Sequence, residues 1–184
     1  MRTARARLLT AGSLALALSL ATSQQAGAQQ AGAQAVPEYA MKATYLYNFM
    51  VFAEWPNQEA HGTQDSLQLC VFGPDNFGAA LNALEGKSVH GRKLAVQRAS
   101  SLASLRRCHL LFVTEREAPN MAAILQVLGE APVLTVADSP LASGAAILLS
   151  LDGQRLVFDV NLQRIKKAGI TLSSKVLQLA RSAS

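Results

Sequence analysis

Apolar positions along the chain follow two rhythms. Residues 67–72 (LQLCVF), 93–98, 109–113 (HLLFV) and 133–137 (VLTVA) are short apolar or alternating runs bounded by turn residues, the pattern of strands. Helical patterns lie between them. Asp75 opens one over 76–84 that ends by Gly86, and 100–106 reads as a short helical turn. Another covers 120–128, with Pro119 at its start and Gly129 at its close. Residues 88–92 and Asp138-Ser139-Pro140 read as turns. Strands separated by helices predict a parallel α/β core. The rhythm then changes. Residues 145–151 and 155–160 read as strands joined at Asp152-Gly153, a hairpin signal. Asn161 can cap a helix to residue 167, and Ser173 or Ser174 opens a last helix to about residue 180. The expected fold is a single α/β domain over 38–182. It has a mostly parallel, open, Rossmann-like sheet flanked by helices, with a C-terminal antiparallel hairpin.

Before the first strand lies EYAMKATYLYNFMVFAEWP (38–56). It holds all three tyrosines, the only tryptophan and two of the six phenylalanines. Ala, Met and Leu favour helix here, and Pro56 marks its end. Its polar residues, Glu38, Lys42, Thr44, Asn48 and Glu54, are too few for the wide polar face of a surface helix. Burial on both sides accounts for this pattern. The alternative is a core face opposed by a face for dimer or partner contact, for which Tyr39, Tyr47 and Met50 are the candidates.

The N-terminus bears on location. MRTARAR is basic, the next 13 residues are an apolar run, and Ala26-Gly27-Ala28 offers a small-x-small cleavage site. This is the pattern of a secretory signal peptide over 1–28, and the apolar run is too short to span a bilayer. Residues 29–37 read as a disordered leader. Removing 28 of 184 residues leaves 156, enough for one cored domain. The three arginines lost lower the net charge from +5 to +2, and no basic cluster stands out. Nucleic-acid binding and direct membrane insertion are therefore not expected. In an exported protein the two cysteines, Cys70 and Cys108, point to one disulfide. Cys108-His109 suggests a metal pair at first sight, but no CxxC or HxxxH accompanies it, so neither metal nor cofactor is expected.

The sequence holds little catalytic chemistry. The turn Gly73-Pro74-Asp75-Asn76-Phe77-Gly78 lies where open α/β sheets bind phosphates, but it lacks G-x-G-x-x-G. No Walker or G-x-S-x-G pattern is present, and His61, His90 and His109 are scattered. Asp138, ending a predicted parallel strand, is the best-placed carboxylate and equally a turn opener. Arg106-Arg107 and Arg164-Ile165-Lys166-Lys167 read as solvated helix ends or faces.

These residues together resemble the YfiR family of exported proteins. The segment KATYLYNFMVFAEWP (42–56) is similar to the family's opening signature. LCVFG (69–73), CHLLFV (108–113), LTVAD (134–138), Gly144, FDVNL (158–162) and GITLSSKVLQLA (169–180) resemble its later blocks. The resemblance implies a periplasmic, dimeric regulator without catalytic activity. Such a protein binds the periplasmic sensor domain of an inner-membrane diguanylate cyclase and represses it, lowering cyclic-di-GMP and with it biofilm formation. The family's namesake has two disulfides and depends on their state, whereas Cys70 and Cys108 allow one. A competing expectation is a periplasmic small-ligand binding protein serving another membrane sensor or transporter, with Gly73 and Asp138 as cleft edges. A hydrolase using Asp138 is a third.

Overall fold

A computed structural model describes residues 37–56 and 66–184. The predicted signal peptide and His61 lie outside the described residues, as does the predicted leader apart from Pro37. Helix α1 (Glu38–Phe52) comes first, followed by the two-residue strand β1 (Ala53–Glu54). The helix stops four residues short of Pro56. Its last turn gives way because Ala53 and Glu54 pair antiparallel with β9 (Thr171–Leu172).

The main sheet has eight strands in the order β10-β8-β7-β6-β5-β2-β4-β3. Strands β2 (Ser66–Phe72), β4 (Arg92–Ala99), β5 (Leu110–Val113), β6 (Leu134–Ala137) and β7 (Ile147–Asp152) run parallel. The chain leaves β2 for β4 on one side and returns to β5 on the other, so a topological switch point lies between β2 and β5. Strand β3 (Ser88–Val89) folds back antiparallel on β4 in the region predicted as a plain turn. The expected hairpin is β7 with β8 (Arg155–Val160), turned at Gly153, whose φ of 61° suits glycine.

Side-chain alternation divides the core between the two faces of this sheet. Leu67, Leu69 and Val71 of β2, Leu110 and Phe112 of β5, and Leu134 and Val136 of β6 pack with α1. Cys70, Leu111, Val113 and Ala137 point the other way. There they meet Leu105 of the 3-10 turn Leu102–Arg107 and Met121, Ile124 and Leu128 of α3 (Met121–Leu128). Burial on both faces explains why the central strands read as continuous apolar runs.

Three local expectations need correction. The helix predicted over 76–84 shrinks to α2 (Ala79–Asn82), with Gly78 before it. Asp75 instead accepts the backbone N–H of Phe77 at 2.8 Å and pairs with Arg98 at 2.7 Å. Pro119 lies in a 3-10 turn, Glu115–Asn120, that leads into α3. Arg164, in α4 (Leu162–Lys167), is buried rather than solvated, and its Nη1 donates to the carbonyl of Gly129 at 3.3 Å. Burial pulls the pKa of this guanidinium down. The two caps behave as expected. Asn161 Oδ1 accepts from the backbone N–H of Arg164, and Ser173 Oγ accepts from that of Lys175 at the start of α5 (Ser174–Leu179). The sequence pattern does not reveal β10 (Ser182–Ala183), which pairs parallel with β8. Asp159 holds it there by accepting from Arg181 and from Ser182 Oγ.

Candidate functional site

The ends of β2, β5 and β6 bring Gly73, Thr114 and Asp138 into one row. Strand register sets this order: Phe72 lies beside Val113, and Val113 beside Ala137, so the next residue of each strand continues the row. Open α/β sheets place ligands at this end of a switch point. Here the row is occupied by protein. Lys42 reaches over it from the second turn of α1, and its Nζ donates to Asp138 Oδ2 at 2.5 Å. Both side chains are about 95% buried, whereas Glu38, the ammonium's other partner, is 41% exposed. The ring of Tyr39 lies beneath the same ammonium, 4.5 Å away. Burial pulls the Lys42 pKa down, but hydrogen bonds and charge from Asp138 and Glu38 outweigh it, and the net shift is upward.

Two oxygens in this row, Asp138 Oδ1 and Thr114 Oγ1, are buried without a hydrogen-bond partner. Gly73 sits against that hydroxyl at φ 104°, and a Cβ there would fall 2.0 Å from Thr114 Oγ1 and 2.8 Å from Glu117 Cγ. Gly73→Ala is therefore expected to cost about 2–3 kcal/mol, read as a lower urea midpoint. An unchanged midpoint would show that the two loops move apart freely.

The arrangement locks α1 to the sheet. Asp138 spends one oxygen on Lys42, and the Thr114 hydroxyl in the same row has no hydrogen-bond partner to activate it. His109 Nδ1 accepts the Gln68 backbone N–H at 3.0 Å, and its carbonyl accepts Trp55 Nε1–H at 3.1 Å. His90 faces the Ala53 carbonyl at 3.1 Å. Among the described residues no group of three or more His, Cys, Asp or Glu side chains could hold a metal ion.

The contact candidates separate. Met50 is fully buried in the core, which gives it a packing role and removes it from any surface face. Tyr39 and Tyr47 are half-buried on the flanks of α1. Tyr39 meets the ring of Phe77 edge-on at 5.1 Å, and its hydroxyl accepts from Asn76 Nδ2. Tyr47 donates to the carbonyl of Ser88. The buried stripe of α1 is Lys42, Ala43, Leu46, Phe49 and Met50, at helical spacing. The apolar excess noted in the sequence lies on both sides of it, where Met41, Tyr45, Val51 and Phe52 are partly buried. Cys70 and Cys108 form a disulfide with a Cα–Cα distance of 5.8 Å. It is packed inside the α3-side core.

This chain matches the YfiR/HmsC-like family over residues 39–181, nearly all of the described region. It belongs to that family. The opening signature (42–56) is the set of residues that places α1: Lys42 for the ion pair, Leu46 and Phe49 for the core, and Trp55 for the bond to His109, just before β5. Solved structures similar to this YfiR/HmsC-like chain include a conserved domain protein from Vibrio cholerae, at 14% identity and a TM-score of 0.51. That match covers 79% of this chain and 60% of that one. Another is the ABC domain from Streptococcus pneumonia solved in complex with L-Trp, at 9% identity and a TM-score of 0.51, covering 77% and 60%. The chain thus spans 60% of the length of each. At these identities the likeness concerns the α/β fold.

Proposed function

We propose that this protein is an exported regulator that binds the periplasmic sensor domain of an inner-membrane diguanylate cyclase and represses it. Membership of the YfiR/HmsC-like family over residues 39–181 carries this reading. Several features support it. The strand-end row where an α/β enzyme would place its chemistry is closed by Lys42 and Asp138. A buried disulfide suits an oxidising compartment such as the periplasm. Among the described residues no helix is long and apolar enough to cross a membrane. The protein acts as a homodimer, and the flanks of α1 around Tyr39 and Tyr47 serve as a contact for the partner or for the second copy.

Repression of this kind needs only differential binding to two sensor conformations. Taking a cyclase from half active to about 1% active requires roughly 100-fold preference for the inactive state, about 2.7 kcal/mol. The test combines capture and output. The mature protein is expected to retain the periplasmic domain of a diguanylate cyclase from the same cell, and its deletion to raise cyclic-di-GMP. Tyr39→Ala with Tyr47→Ala removes the Phe77 and Ser88 contacts and lowers thermal stability, so capture is compared at a temperature where the variant is still folded, and there it is expected to be weakened. No association together with unchanged cyclic-di-GMP would remove the proposal.

A further inference from the structure

We propose that the hollow between α1, α5 and β8 binds a small apolar carboxylate, a medium-chain or aryl acid without an amine. Its volume of about 370 Å³ falls within the range of small-molecule sites. Tyr45, Phe49, Phe52 and Phe158 give it aromatic walls, and Val176 and Leu179 of α5 form the opposite side. Its polar lining comes from Asn48 and Lys175, both exposed at the rim.

The walls are fixed before any ligand arrives. The hydroxyl of Tyr45 donates to the Leu156 carbonyl at 3.0 Å. The rings of Tyr45, Phe49 and Phe158 meet edge-to-face at 5.1–6.0 Å. Helix α5 is tied to α1 by the Ser173 N–H, which donates to the Phe52 carbonyl at 2.9 Å. A preorganised cavity does not charge its own ordering against the ligand. Leu179 stands at the mouth with 76% of its surface exposed, apolar area that an occupant would cover.

Charge selects the class. Lys175 is the single charged residue of the lining and makes no ion pair among the described residues. An anionic head group at the rim gains a partner, and the apolar body leaves water. No acidic side chain lines the hollow to receive an ammonium, so alkylamines and zwitterionic amino acids are disfavoured. This site is separate from the strand ends, and ligand binding is measured on the protein alone, so its outcome is independent of any cyclase.

Titration calorimetry of the mature protein tests the assignment with octanoate, octylamine and octanol as probes. Octanoate is expected to bind once per chain with a Kd on the order of 0.1–1 mM, at least about tenfold tighter than octylamine. Lys175→Glu is expected to weaken octanoate about tenfold or more and leave octanol unchanged. Leu179→Glu, at a surface position that tolerates charge, is expected to weaken octanoate to a similar extent. Absence of octanoate binding at about 5 mM, on the order of ten times the expected Kd, would overturn the assignment. So would equal affinity for octylamine, or octanoate binding indifferent to both substitutions.

Discussion

Replacing Lys42 by methionine is expected to lower stability by about 3–5 kcal/mol, because it leaves the Asp138 carboxylate buried and uncompensated. Asp138→Leu alone should cost a similar amount by stranding the ammonium, although Glu38, partly exposed, retains some of its charge. The double change Lys42→Met with Asp138→Leu should recover most of the loss, since a buried pair replaced by apolar groups of similar size is often close to neutral. Urea midpoints of the four proteins form the cycle that measures it. A loss in the double variant equal to the sum of the two single losses would mean that the pair is not coupled. The pH dependence follows from the raised folded-state pKa of Lys42. The pair's contribution is complete below the lysine's ordinary value of 10.5 and is lost as pH rises through the higher folded-state value. Wild type should therefore lose stability in the alkaline range, and the apolar double variant should lose less.

That ion pair also shows where sequence reading stops. The strands, the terminal hairpin and the two side-chain caps were legible because each depends on short-range signals: alternation, a Gly turn, or an Asn or Ser before a helix. Lys42 was not, because nothing within 38–56 announces a carboxylate 96 residues away. In the sequence it is one of the few polar positions of an apolar helix, and in the fold it belongs to the buried stripe. Arg164 is the same case, a basic residue in a basic run whose partner is the Gly129 carbonyl at the end of α3. The early end of α1 and the short strands β1 and β9 likewise come from pairing between distant segments. Asp138 was readable as the end of a parallel strand, whereas its partner was not, and the partner decides whether a strand-end carboxylate is free for chemistry. The apolar excess of α1 was visible, but only the placement of α5 turns one flank of it into a hollow.

Removing the disulfide, as Cys70→Ala with Cys108→Ala, is expected to cost about 4 kcal/mol, the chain-entropy value for two residues 38 apart. For a domain of this size that is a fall of roughly 10 °C in Tm. Alanine rather than serine keeps the test clean, because both cysteines are almost fully buried and a serine hydroxyl there would add its own penalty. The position of the bridge matters as much as its magnitude. It joins β2 to the approach of β5, the two strands that flank the switch point, and so closes the excursion through α2, β3 and β4. Without it the unfolded chain regains the freedom of that whole excursion, while the native contacts of the α3-side core remain. Unfolding in urea with and without reductant should reproduce the difference between wild type and the double variant, and reductant should leave the double variant unchanged. Because the sulfurs are shielded, reduction of the folded protein should be slow and follow global opening. Rapid reduction without loss of stability would instead make the bridge a labile, signal-sensing one. Slow reduction tied to global opening would mark the single buried bridge as a brace for the sheet.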